Sequence, residues 1–158
     1  MTGNPKVLKA LNGLLADELT AINQYMVHSE MCDNWGYEHL HKAIEKRAVE
    51  EMHHAEWLIA RILFLEGTPI VSKLNPMKIG PGIKEMIVND QAAEVGAIKS
   101  YNDAITLGHE VKDQGSVDLL MKILTDEERH EDWAEAQLDQ IGQMGFENYL
   151  TNQTKGAA

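Results

Sequence analysis

Glu51-Met52-His53-His54 and Glu127-Glu128-Arg129-His130 are two copies of one Glu-x-x-His word, set 76 residues apart. Each has a further glutamate 33 positions upstream, Glu18 before Glu51 and Glu94 before Glu127. The same offset of 76 carries Tyr25 onto Tyr101 and Trp57 onto Trp133. A carboxylate from one helix and a Glu-x-x-His from the next, supplied twice, is the ligand set with which a four-helix bundle holds two metal ions. Helical positions i and i+3 share a face about 4.5 Å apart along the axis, so each Glu and His of a word can aim at one point. A lone Glu-x-x-His is common on helices and carries little weight. The complete doubled pattern predicts a dinuclear metal centre built from Glu18, Glu51, His54, Glu94, Glu127 and His130.

Charge arithmetic supports that expectation. Four buried carboxylates without counter-charge would each cost several kcal/mol, and their mutual repulsion adds to it. Two divalent cations bring four positive charges and balance them. Mixed carboxylate and imidazole ligands suit iron, manganese or zinc better than calcium or magnesium.

Outward from these words, four segments repeat apolar residues at steps of three and four, separated by Gly, Pro or Ser clusters. The first is expected over about Pro5 to Asn34, with Asn4 as N-cap and Pro5 at the first helical position. The others are expected over about Glu38 to Glu66, Ile83 to Val111 and Ser116 to Met144, with a short fifth helix in Phe146 to Gln153. Their seams carry Glu18, Arg47, Glu51, His54, Asp90, Glu94, Glu127 and His130 among apolar neighbours. Short joins make helices one and two, and three and four, antiparallel hairpins. Between the hairpins lie 16 residues, Gly67 to Gly82, with Pro69, Pro76 and Pro81. Extended at about 3.3 Å per residue they span roughly 50 Å, enough to run the length of a helix of about 42 Å. The expected fold class is therefore all-α: a ferritin-like four-helix bundle with a long crossover between helices two and three. The whole of 1–158 is expected to form one domain, the bundle over about 5–145 and the C-terminal helix within 146–155.

The bulk composition narrows the partners. At 158 residues the chain can bury a proper core without disulfides, and the lone Cys32 can form no internal bridge. A formal net charge of −11 argues against nucleic acid or an anionic membrane as partner. Lys6, Lys9, Asn12 and Gly13 interrupt the apolar start, unlike a signal peptide. A cytoplasmic location is the expectation.

The chain resembles the bacterioferritins over nearly its whole length. The resemblance is carried by Asn23-Gln24-Tyr25 after Glu18, Glu51-Met52-His53-His54, the run Arg61 to Gly67, Asp126-Glu127-Glu128-Arg129-His130, and Met144 to Leu150. It implies that Glu51 and Glu127 bridge two irons, that Glu18 and His54 complete one site, and that Glu94 and His130 complete the other. It also implies oxidation of Fe(II) by dioxygen or hydrogen peroxide, and storage of ferric mineral inside a 24-subunit homo-oligomeric shell built of dimers.

Met52 breaks the repeat, since its counterpart is Glu128. It lies about 100° around the helix from Glu51, on a flank with Ala48, Ala55 and Ile59; Leu19 and Met26 make a similar flank on the first helix. Such apolar flanks suggest contact between subunits. The resemblance makes Met52 the axial ligand of a haem b shared by two subunits, a route for electrons from a ferredoxin-type donor during iron release. On the residues alone a methionine there is ordinary packing.

Other residues keep two readings. Tyr25 is an electron donor to the centre or a core tyrosine with a bonded hydroxyl, and Trp133 has the same ambiguity. Glu50 hands iron inward or lies on a solvated face. Lys46 departs from the family's inner-surface histidine, which puts an accessory iron site in doubt. His39, His41, His53 and His109 are expected at the surface. Two rivals to a ferroxidase are a structural haem-bearing shell subunit and a dinuclear oxidase or peroxidase acting on a substrate other than iron.

Overall fold

The computed structural model describes residues 1–154 as five helices: α1 Pro5–Asn34, α2 Glu38–Phe64, α3 Ile83–Glu110, α4 Gln114–Met144 and α5 Phe146–Thr151. The starts and stops follow local chemistry. The Asn4 side chain accepts from the Lys6 N–H and Pro5 opens α1. Asp113 caps α4 by accepting from the Ser116 N–H at 3.1 Å, so the helix begins two residues before the expected Ser116. At the end of α2 the left-handed position falls to Glu66, at φ 61°, and the Gly67 N–H closes the turn on the Ile62 carbonyl. Gly67 is needed for space instead: a Cβ there would stand 2.6 Å from Leu8 Cδ2. The fifth helix is shorter than expected, ending at Thr151, and residue 155 of the expected 146–155 segment lies outside the described residues. Buried Tyr149 docks α5 by donating to Gln137 Oε1 at 2.8 Å.

The helices run up, down, down and up. Loops of three residues, 35–37 and 111–113, close the two hairpins. The crossover then climbs α1. The Asn12 amide donates to the Thr68 carbonyl, and the Ile70 N–H donates back to Asn12 Oδ1. Higher up, the N–H groups of Asn75, Lys78 and Gly80 donate to Thr20 Oγ1, Gln24 Oε1 and His28 Nε2. Thr20, Gln24 and His28 are spaced by four, one helical turn each, so a single stripe of α1 supplies acceptors to an extended strap. The strap delivers α3 to the far end of α1, and the two helices pack antiparallel. This is the expected ferritin-like topology.

Apolar packing falls into two layers. One gathers Leu11, Leu15, Leu58, Ile62, Leu120 and Ile123; the other gathers Tyr25, Leu40, Ile44, Met86, Ile87 and Ile141. Each fully buried Leu or Ile contributes about 1.5–3 kcal/mol. The six polar residues of the doubled motif lie at mid-height between these layers. Among the described residues, no helix is long and apolar enough to cross a membrane.

Candidate metal centre

All six residues of the doubled motif are brought together, each at most 2% exposed. They form two groups, Glu18, Glu51, His54 and Glu127, and Glu51, Glu94, Glu127 and His130; in each, the ligand atoms lie within 4.8 Å of one another. Glu51 and Glu127 belong to both, the position of a carboxylate that can span two ions. His54 Nδ1 stands 2.8 Å from Glu127 Oε1, 3.2 Å from Glu51 Oε2 and 3.6 Å from Glu18 Oε2. His130 Nδ1 stands 2.9 Å from Glu51 Oε1 and 3.6 Å from Glu94 Oε1.

The electrostatics are those of an overcrowded acid pocket. Burial, the Glu18 charge and the other two carboxylates push Glu51 well above the ordinary carboxylate range, and burial and Glu18 do the same to Glu127. Burial opposes a charge on His54, but Glu127 and Glu18 outweigh it and raise the imidazole to about 10. Bonds from Glu127, His130 and Tyr25 keep Glu94 below its usual value despite burial. Glu18 Oε2 and Glu94 Oε2 are buried with no hydrogen-bond partner. Buried oxygens without partners are rare and costly. A divalent cation in each group would supply what they lack, so the donor set fits two metal ions.

The surroundings repeat the pseudo-twofold relation. The Tyr25 hydroxyl donates to Glu94, and the Tyr101 hydroxyl donates to Glu18. Each hairpin's tyrosine thus holds the other's terminal carboxylate. Arg47 stacks 3.7 Å over Trp133, and Lys122 sits 3.8 Å over Trp57. A cavity of about 290 Å³ opens between α1, α3 and the strap; Gln24, Asn75 and Lys78 line its walls and Glu18, Glu94 and Glu127 its floor. It connects the carboxylates with the outside.

Several sequence expectations need correction. Ala55 does not sit on the Met52 flank; it is buried in the core. Met52 itself is 45% exposed, and Met26 on α1 is 49% exposed. Tyr25 has a bonded hydroxyl and Trp133 a stacked guanidinium. Glu50 is no solvated residue, since it contacts His130 Nε2 and Arg129. Lys46, His39, His53 and His109 are exposed, but His41 is half-buried, its Nδ1 2.9 Å from the Ser29 carbonyl. Cys32 is free and buried, its thiol pushed up to about 12. Two functional positions escaped notice. Asp126 lies 2.9 Å from His54 Nε2, and buried His28 is bonded to Asp90 at 2.9 Å. Each was detectable: Asp126 as the offset partner of Glu50, His28 as the third member of the Thr20–Gln24 stripe.

Residues 8–144 match the family of the ferritin-like domain. The bacterioferritin of Rhodobacter capsulatus is 43% identical over 92% of this chain and 92% of its own. That of Brucella melitensis is 40% identical over 94% and 92%. A bacterial ferritin of Synechocystis is 42% identical over 97% and 99%. Fold, strap, paired Glu-x-x-His words and near end-to-end similarity converge: the chain belongs to the bacterioferritins, within the ferritin-like family.

Proposed function

We propose that this protein stores iron, and that its centre is a ferroxidase site where two Fe(II) substrates are held by Glu18, Glu51, His54, Glu94, Glu127 and His130. The observation that carries this reading is the pair of buried donor groups sharing Glu51 and Glu127, with orphaned carboxylate oxygens pointing into each. Glu51 and Glu127 bridge; Glu18 with His54, and Glu94 with His130, complete the two positions. Fe(II) enters through the cavity between α1 and α3, whose Glu18 and Glu94 floor attracts cations. Dioxygen or hydrogen peroxide takes one electron from each ion and two protons, leaving as hydrogen peroxide or two waters respectively, and the ferric product passes to mineral within a 24-subunit shell of dimers. The protein positions both ions, excludes bulk water with its apolar layers, and keeps Glu18 and Glu94 aligned through Tyr101 and Tyr25. The whole chain acts as one domain, in the cytoplasm, without nucleic acid or membrane as partner.

Met52, exposed on α2, would hold a haem b shared by two subunits through its thioether. Bound there, haem would conduct electrons from a ferredoxin-type donor to stored ferric iron. A purely structural subunit would have no use for six intact ligands, and the acidic lining of the cavity that reaches them favours a cation over a larger organic substrate. Stopped-flow Fe(II) oxidation tests the reading. Glu18→Ala and His130→Ala are each expected to abolish the fast phase while the shell still assembles; undiminished fast oxidation in both variants refutes it.

A further inference from the structure

Glu50 and Asp126 are related by the same offset of 76 as the ligands, and the fold crosses them. Asp126, on α4, places Oδ2 2.9 Å from Nε2 of His54 on α2. Glu50, on α2, contacts Nε2 of His130 on α4. Arg129 ties the two carboxylates together, its Nη2 lying 3.2 Å from Glu50 Oε2 and 3.2 Å from Asp126 Oδ1. The counterpart of Arg129 in the other half is His53, which bonds Glu56 on its own helix instead. One arginine therefore serves both halves of an otherwise symmetric arrangement.

We propose that Glu50 and Asp126 are positioning residues for the metal centre, each hairpin orienting the ligand imidazole of the other, with Arg129 holding both in place. This rests on the dinuclear reading above. A neutral imidazole carries its proton on one nitrogen only, and the partner of that nitrogen decides which one is left to bind metal. A carboxylate cannot donate, so Asp126 and Glu50 hold the proton on Nε2 and leave the Nδ1 lone pair to the ions. Both Nδ1 atoms already face the carboxylate ring. The geometry is matched to orientation better than to stability. Arg129 is 56% exposed and Glu50 and Asp126 partly so, and ion pairs at such sites add little to folding. What they do add is direction at the ring nitrogens.

Cobalt(II) titration of the assembled full-length protein tests this, read by visible ligand-field absorption and with apo melting temperature measured in parallel. Asp126→Asn and Glu50→Gln replace a pure acceptor by an amide that can also donate, so the imidazole is no longer held to one tautomer. Each is expected to raise the apparent cobalt dissociation constant about 10- to 100-fold and shift the ligand-field bands, with apo melting nearly unchanged. Asp126→Glu, which keeps the charge, is expected to recover most of the affinity. Arg129→Gln should weaken binding at both positions by about two- to fivefold. Unchanged affinity and spectrum in Asp126→Asn and Glu50→Gln overturn the proposal. So does a joint fall in melting temperature and affinity that Asp126→Glu fails to repair, because that marks a structural role. Failure of the unaltered protein to bind two cobalt ions per subunit sinks the dinuclear reading first, and this assignment with it.

Discussion

Loading the centre with metal should expel protons, because burial and crowding hold them on its ligands. Burial and neighbouring carboxylates hold Glu51 and Glu127 well above the ordinary carboxylate value, and, against burial, Glu127 and Glu18 raise His54 to about 10. The metal-free centre therefore keeps a proton on His54 at neutral pH and holds its bridging carboxyls' protons more tightly than free carboxyls do. Glu94 is held below its usual value and is already ionised. A cation can bind only the deprotonated ligands, so saturation with Zn(II), or with Fe(II) in the absence of oxygen, should release at least the His54 proton, about one per subunit, near pH 7. For that one proton the overall formation constant rises about tenfold per pH unit, about 1.4 kcal/mol. The empty protein should show the converse. A group whose folded pKa exceeds its unfolded one adds stability that is complete below the unfolded value and lost as pH rises. For His54 that window runs from 6.5 to about 10, at a slope of about 1.4 kcal/mol per pH unit. The assays are metal titration in weak buffer with an indicator dye, and denaturant unfolding of the metal-free protein from pH 6.5 to 9.5. Release below one proton per subunit, or apo stability that climbs across that range, refutes the account of the charge balance.

Three further outcomes are expected. Met52→Leu should yield a shell of unchanged size without a haem Soret band, whereas wild-type protein reconstituted with haem shows one; equal haem content in both removes Met52 from the axial position. Tyr101→Phe leaves a buried Glu18 oxygen without its donor, at a cost of about 1–3 kcal/mol. For a chain of this size that lowers the apo melting temperature by roughly 2–10 °C in calorimetry. Gly80→Ala would put a Cβ 2.4 Å from the Met86 backbone nitrogen, so the strap must shift and lose its bond to His28. Limited proteolysis should then cut the 68–82 segment faster than in wild type.

Most of the fold was legible because two periodicities agreed: helical repeats of apolar residues, and a single offset that reproduced glutamates, histidines, tyrosines and tryptophans. Helix ends were less so. α4 starts at Gln114 because Asp113 reaches Ser116, a capping contact that apolar spacing does not register. The six candidate ligands could be read from spacing alone because the helix converts i and i+3 into one direction. Glu50 and Asp126 were legible only as an offset pair and not by role, since their partners lie on another helix, 80 and 72 residues away along the chain. Thr20, Gln24 and His28 share one stripe of α1 by their spacing of four. Their burial comes from the strap laid over them, a tertiary event with no local signature. Ala55 shows the limit of flank arguments: one small side chain at a crowded helix crossing turns inward although its neighbour Met52 points out.

The two kinds of contact around the centre divide its labour. Tyrosine hydroxyls join α1 to α3, reaching Glu94 from Tyr25 and Glu18 from Tyr101. Carboxylate–imidazole pairs join α2 to α4, through Asp126 with His54 and Glu50 with His130. Every one of these four bonds runs between hairpins, so neither hairpin alone supplies the outer partners of its own ligands. Docking of the hairpins and construction of the centre are therefore one event. A buried acid ring is unfavourable by itself, but apolar layers above and below supply the stabilisation that lets it persist before metal arrives. The imidazolium of His54 then occupies, in charge, the place that a cation takes over. Under the proposed function, an interior arranged this way binds and gives up ions without unfolding, because the groups that hold the ligands in line touch atoms other than the unpartnered carboxylate oxygens.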